Sequence, residues 1–394
     1  MIRVTPMEMK WVELPRLDRV EWRSSAGAPA PADGNVVCAG DGLSGADAIR
    51  SVRLGQFLLC TGRYGGTRQL LTAIQHRAGW RRQKSERSSD PAAIFRAERC
   101  RRAAAHALLA RIVVLLDGSD FRPRLAGAPA LGPFGQQVWG PMPDRPLLVP
   151  LREWVGALGA REWYRKGIDV PALGAKVHPH YGVFPPTRGD YLELVAERMA
   201  RTDLAGKVVF DIGTGTGVIA LILARRGAAR VVATDADGRA VACARENAER
   251  LGFGNVVDVC DVGADDPFPP GAADVVVCNP PWLPGDATTL LDRAVYDPGS
   301  QFLGRFLEGV GGHLGPAGQA WLILSDLAER LRLRLPNFVE QAAERSGLAV
   351  LDRSVVPARQ SRFDDRDDAL HAERSRETIA LFVLGRSLNK GGRR

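Results

Sequence analysis

Val208-Val209-Phe210-Asp211-Ile212-Gly213-Thr214-Gly215-Thr216-Gly217 is a short apolar run that meets an acid and then breaks into alternating glycines. The run reads as a buried strand, and the glycines as a turn into a helix over Gly217–Arg226. Glycine is needed where the backbone takes positive φ, and where a ligand packs directly on the main chain. Working outward, the same alternation continues. Strands are predicted at Lys207–Ile212, Arg230–Thr234, Val256–Cys260, Ala273–Cys278, Gln319–Leu324, Ala349–Val356 and Thr378–Leu384. Helices are predicted at Gly238–Leu251, Phe302–Leu314 and Leu327–Ser346, the last broken near Pro336. Strands alternating with helices predict an α/β fold, with a mostly parallel sheet covered on both faces. Ligands of such sheets bind beyond the carboxyl ends of the strands, which is where the glycine turn lies.

The glycine spacing separates two ligand classes. A dinucleotide fingerprint is G-x-G-x-x-G, whereas this turn is G-x-G-x-G, with Asp211 just ahead of Gly213. The second strand ends in Thr234-Asp235, and an acid there can accept ribose hydroxyls. The third ends in Cys260-Asp261. Asp237 competes with Asp261 for the next contact, but it reads better as a helix N-cap.

The fourth strand, Asp274-Val275-Val276-Val277-Cys278, runs into Asn279-Pro280-Pro281-Trp282. An amide nitrogen, or an exocyclic base amine, is a poor nucleophile because its lone pair is delocalised. Acceptors that hold its N–H groups can turn the lone pair toward an electrophile. Asn279 offers a side-chain oxygen and Pro280 a carbonyl. Prolines fix φ and lack N–H groups, so the turn is rigid and presents acceptors. Trp282 adds an aromatic face for a planar group.

Glycine turn and Asn-Pro-Pro-Trp, in this order, resemble the class I S-adenosylmethionine-dependent methyltransferases, in the branch that methylates a planar nitrogen. The resemblance implies a Rossmann-like sheet of seven strands with the last one antiparallel, and S-adenosylmethionine as cofactor. Carried over, it implies cofactor contacts at Asp211, Gly213, Gly215, Gly217, Asp235, Asp261 and Asn279. It implies catalytic roles for Asn279, Pro280 and Trp282, with Pro281 and Trp282 on the substrate. The segment His178-Pro179-His180-Tyr181-Gly182-Val183-Phe184-Pro185-Pro186-Thr187-Arg188-Gly189-Asp190-Tyr191 resembles the lead-in of the HemK-type glutamine methyltransferases. There a P-R-P-E-T-E run borders cofactor and substrate. The acids of that run are absent here, and Thr187 (cofactor) and Arg188 (substrate) stand in their place. Ala242–Ala248 resembles the family's helix after the second strand and reads as structural. Asp297 and the loop Asp364–Arg376 are further candidates to border the substrate.

The N-terminal half carries no such motif. Residues 1–50 read as poorly ordered, with Ser24–Gly34 rich in Ser, Ala, Gly and Pro. Residues 51–170 read as a basic, mainly helical substrate-recognition domain, 171–388 as the methyltransferase domain and 389–394 as a basic tail. The helical pattern is clearest over Arg96–Leu116 and Leu151–Lys166. The net charge is +8. Residues 53–124 hold 15 basic and 5 acidic residues, a charge that fits a polyanion or simply a solvated face. No run of 18 apolar residues predicts a membrane span, and Met1–Arg23 has no secretory pattern, so a cytoplasmic location is expected. Six scattered cysteines form no C-x-x-C pair, and His178 and His180 lack a third ligand nearby, so no metal site is expected. The acceptor stays open between a protein glutamine amide, a base amine in RNA or DNA, and a small molecule. A non-catalytic S-adenosylmethionine-binding module and a dinucleotide oxidoreductase are the other classes.

Overall fold

The computed structural model describes residues 10–14, 17–78, 89–263, 265–359 and 368–387. The chain divides into two compact units, one of residues 4–88 and 93–165, the other of residues 166–394 with residues 1–3 and 89–92.

The first unit contains β1 (Lys10–Leu14), β2 (Leu17–Trp22), β3 (Val36–Ala39), α1 (Gly45–Arg53), β4 (Phe57–Cys60), α2 (Tyr64–Arg77), α3 (Pro91–Leu109), β5 (Ile112–Asp117), β6 (Arg122–Pro123), α4 (Gly135–Trp139), β7 (Leu147–Pro150) and α5 (Leu151–Lys166). Its sheet runs β1-β2-β7-β5-β4-β3, with β6 on β5. Two expectations are adjusted here. The unit is α/β rather than a purely helical domain: helices cover more residues than strands, but they accompany a seven-stranded sheet. Phe57-Leu58-Leu59-Cys60 is buried throughout, and so is Ile112–Leu116. Such continuous apolar runs carry no period, so a buried strand cannot be told from a buried helix. Nor are all of residues 1–50 poorly ordered, since β2, β3 and the start of α1 lie among them. The Ser24–Gly34 stretch has little apolar surface, but it is held by one buried acid. Glu153 of α5 accepts Ser24 Oγ at 2.5 Å and both the amide and hydroxyl of Ser25 at 2.7 Å. Residues 1–9, the 364–367 part of the acid- and arginine-rich loop and the 389–394 tail lie outside the described residues.

The second unit opens with the hairpin β8 (Ile168–Val170) and β9 (Ala175–Val177), then α6 (Asp190–Ala200). The alternating part follows as β10 (Val208–Ile212), α7 (Val218–Arg225), β11 (Arg230–Asp235), α8 (Gly238–Arg250), β12 (Val257–Asp261) and β13 (Ala273–Cys278). It continues with α9 (Gln301–Gly309), β14 (Leu314–Ser325), α10 (Leu327–Arg330), α11 (Phe338–Arg345), β15 (Leu348–Pro357), α12 (His371–Arg374) and β16 (Thr378–Arg386). The sheet order is β12-β11-β10-β13-β14-β16-β15, and β16 is antiparallel to both neighbours. The order reverses at β10, so the switch point lies between β10 and β11 on one side and β13 on the other.

The period of two sorts the strand residues onto two faces. Val209, Val275, Val277, Trp321 and Ile323 join the core shared with α6, α7 and α8. Phe210, Ile212, Val276, Cys278 and Leu322 join the opposite core with α9 and α11. Burying a side chain such as Phe306 of α9, fully enclosed, stabilises by roughly 1.5–3 kcal/mol. Among the described residues no helix is long and apolar enough to cross a membrane.

Candidate active site at the strand ends

Gly213, Gly215 and Gly217 take φ of 73°, 56° and 81°. A side chain at any of them would sit in the left-handed region, which L-residues avoid at a cost of about 1–2 kcal/mol. Gly217 has a second constraint, because a Cβ there would lie 3.1 Å from Ala244 of α8. At Gly215 a Cβ would meet nothing within 4 Å, so the turn faces open space. Its amides point inward. Gly213 N and Thr214 N donate to Thr234 O, Gly217 N to Thr214 O, and Gly215 N to the Asp235 carboxylate. A pyrophosphate cradle needs outward amides, and here four of the five from Gly213 to Gly217 are taken by the protein.

The three acids lie at successive strand ends, and Asp235 is level with Asp261 in the β11–β12 register. Asp211 is buried at 1% exposure. One of its oxygens, Oδ2, accepts the Thr214 hydroxyl at 2.7 Å and the Ala220 amide at 3.0 Å. Burial pushes its carboxyl up to about 6 against the pull of those two donors. Asp235 is also raised, chiefly by burial. It accepts main-chain N–H groups of Gly215, Asp237 and Ala236, of the roughly four donors a carboxylate can take. That leaves room for about one further hydroxyl. Asp261 is exposed. Asp237 caps α8 through Arg239 N at 2.9 Å.

The Asn-Pro-Pro-Trp turn leaves β13 beside the glycine turn. Ile212 pairs with Cys278, so Gly213 and Asn279 emerge from adjacent parallel strands at the same level. Trp282 Nε1 donates to Asn279 Oδ1 at 2.9 Å. The indole N–H is only a donor, so this bond fixes which end of the Asn279 amide is oxygen. Among the described residues, one oxygen lone pair and the two amide N–H groups are left for a ligand. Pro280 is buried and Pro281 half-buried in the turn.

One face of Trp282 carries a cation. The Arg188 guanidinium lies over the ring, 4.9 Å from its centroid. Arg188 donates to Asp190 at 2.8 and 3.3 Å and lies 3.7 Å from Glu377. Burial works against the charge on Asp190, but Arg188 and the amides of Arg359 and Tyr191 outweigh it and hold its pKa low. Glu377 is raised by burial and accepts the Ser325 hydroxyl at 2.6 Å. Thr187 is exposed, with its amide turned to Pro185 O.

Other sequence candidates have structural partners. Asp297 accepts the amides of Phe302 and Leu303 at 3.0 and 3.1 Å, which caps α9. His180 Nε2 lies 2.7 Å from Glu246. Asn247 of α8 accepts His178 N and donates to His178 O and Thr216 O, tying the lead-in segment to the glycine turn. In the loop from 364 to 376, Asp368 is buried and pairs with Arg374. Among the described residues no group of three His, Cys, Asp or Glu side chains is arranged to hold a metal. Gly182, at φ 80°, is a position the sequence did not single out. A Cβ there would lie 2.9 Å from Leu290 Cδ1, in the segment that follows the Asn-Pro-Pro-Trp turn. Arg334, which reaches the same turn, was also missed.

Residues 174–344 match the family model for the methyltransferase small domain. A ribosomal protein L11 methyltransferase of Alteromonas mediterranea is 33% identical over 176 residues, 41% of this chain and 56% of that protein. A release factor glutamine methyltransferase of Mycolicibacterium smegmatis is 34% identical over 168 residues, 41% of this chain and 58% of that protein. A candidate protein N5-glutamine methyltransferase of Methanocaldococcus jannaschii is 29% identical over 167 residues, 41% of this chain and 80% of that protein. The chain thus spans a little over half the length of the first two relatives and four-fifths of the third.

Proposed function

We propose that this chain, whose residues 174–344 match the family model for the methyltransferase small domain, transfers methyl from S-adenosylmethionine to a planar nitrogen, with a protein glutamine amide as acceptor. The observation that carries the reading is the level emergence of Gly213 and Asn279 from adjacent strands. In this reading, the turn that would hold the nitrogen stands beside the turn that would hold a small cationic nucleoside.

The residues present fit that cofactor. The glycine turn faces open space and holds its amides inward, so it offers little to a phosphate. Acids at 211, 235 and 261 suit a ligand with a sulfonium and an ammonium group. Asp235 has capacity for a ribose hydroxyl, and Asp261 for the adenine amine. When bound, S-adenosylmethionine supplies an electrophilic methyl group.

Asn279 presents an oxygen lone pair and N–H donors side by side, which matches the N–H and C=O of a carboxamide. The Pro280 carbonyl accepts the second N–H. Held at both hydrogens, the nitrogen keeps its lone pair directed out of the turn. No residue of the turn is a base, so the proton lost after transfer goes to solvent. Catalysis is then mostly positioning, which contributes about 7–11 kcal/mol in well-oriented systems. The relatives that act on glutamine support the protein acceptor. The basic stretch 53–124 supports the base amine as the second reading.

The test uses radiolabelled S-adenosylmethionine, purified protein and extract of a strain lacking the gene. Label is expected in a protein band and, after acid hydrolysis, as methylamine, the product of a methylated amide. Label in RNA or DNA would select the second reading. No label in either macromolecule would overturn both.

A further inference from the structure

We propose that Arg334 is a positioning residue for methyl transfer, gripping the main chain of Trp282 and so keeping the indole N–H on Asn279. The inference rests on the reading of Asn-Pro-Pro-Trp as the acceptor turn.

Arg334 lies in the connection between α10 and α11, 52 residues after Trp282, and only 8% of it is exposed. Its guanidinium bridges three segments. Nη1 donates to Trp282 O at 3.3 Å, and Nη2 to Ser325 O, at the end of β14, at 3.4 Å. Nε and Nη2 donate to the Glu329 carboxylate of α10 at 2.8 and 3.3 Å. A buried cation needs such a partner, because leaving it unpaired is strongly unfavourable. The fork geometry matters, since a lysine is a point charge and cannot span three acceptors in one plane. The chain reaches this position through strain. Arg332 takes φ 56°, a left-handed conformation that returns the backbone after α10. Leu333 N then bonds to Ala328 O at 2.8 Å. A non-glycine residue is held there only where its surroundings over-determine it.

Trp282 is therefore fixed at its carbonyl by Arg334, on its ring by Arg188 and at its indole N–H by Asn279. The last contact is the functional one, because it sets which end of the Asn279 amide faces the acceptor. Arg334 touches neither Asn279 nor an acceptor directly. It acts by denying the Trp282 backbone the swing that would carry the indole away. Glu329 and Ser325 also line a cavity of about 440 Å³, so water can reach Glu329 when its partner is removed.

The test compares full-length Arg334→Met, Arg334→Lys, Trp282→Phe and the double Arg334→Met/Trp282→Phe. The readout is the initial rate of label transfer to the same extract. Arg334→Met is expected to lose about tenfold or more in rate, and Arg334→Lys less, with KM for S-adenosylmethionine within about twofold of wild type. Trp282→Phe already lacks the N–H, so the double variant should fall little below it. In ¹⁵N-labelled protein, the Trp282 indole resonance, assigned by its loss in Trp282→Phe, should lose exchange protection in Arg334→Met. If Arg334→Met fails to fold, Arg334→Lys carries both readouts. A wild-type rate, full multiplication of the two losses, or unchanged indole protection would overturn the proposal. A wild-type protein with no transfer would instead overturn the function, while the indole readout still decides whether Arg334 holds the turn.

Discussion

The glycine turn and the Asn-Pro-Pro-Trp turn leave adjacent strands at one level, yet they are held in opposite ways. The first is fixed largely by its own neighbourhood. Its amides bond to Thr234, Thr214 and Asp235, and Asp211 accepts from Thr214 and Ala220. Nearly all of this lies within one β-α-β unit, and backbone geometry does most of it. The second turn is held by side chains from far along the sequence. Arg188 comes from before the sheet and Arg334 from beyond β14, and Arg188 is itself paired with Glu377, the residue before β16. The difference is instructive. A site for one invariant ligand can be built from main chain, which substitution alters little. A site whose acceptor varies can be re-aimed by exchanging one distant side chain.

Breaking each turn separately should expose this division. Asn279→Ala is the largest expected effect. Removing a group that acts on the reacting atoms typically costs 10²–10³ in rate, so label transfer should fall by about that factor. Calorimetric affinity for S-adenosylmethionine should fall by a smaller factor than the rate, because only the one cofactor contact expected of Asn279 is lost while the glycine turn and its acids remain. A parallel loss of affinity would show that the two turns are one site and remove the distinction. Gly217→Ala should act the other way. The left-handed φ of 81° and the 3.1 Å approach to Ala244 predict a loss of roughly 1–3 kcal/mol in stability. Cofactor affinity should weaken as well. The exchange protection of the Trp282 indole should survive this change, and its loss would contradict the independence of the turns.

The smallest effect concerns pH. The Asp211 carboxyl is pushed up to about 6, from an ordinary 3.8, by burial. Its stabilising contribution is therefore fully present below about pH 3.8 and is lost as pH rises through about 6. Both of its donors reach the same oxygen, so Asp211→Asn can keep them while removing the charge. The melting temperature of wild type relative to Asp211→Asn should decline between those two pH values and then level off. A flat difference across that window would mean that Asp211 is not a strained buried anion.

What the sequence made legible follows the same division. The strand ends at Asp211, Asp235, Asp261 and Asn279 are readable because each signal is contiguous, an apolar run followed by its acid or turn. Asp237 reads correctly as a cap because capping is also local. Arg334 is invisible in the sequence. It is one arginine beside Arg330 and Arg332, and only folding brings it to Trp282. Asp297 drew attention as an acid near the site, whereas the amides of Phe302 and Leu303 claim it. The N-terminal sheet was missed for a different reason. Its strands β4 and β5 are buried on both faces, so they lack the alternation that distinguishes a half-exposed strand.

Asn247 has a mechanical consequence. Its one amide group bonds His178 at both N and O, and Thr216 at O. It works as a rivet: the segment that leads into the sheet of the second unit and the glycine turn are bonded to one and the same side chain of α8. A pull on residues 178–180 is delivered to the glycine turn with little slack.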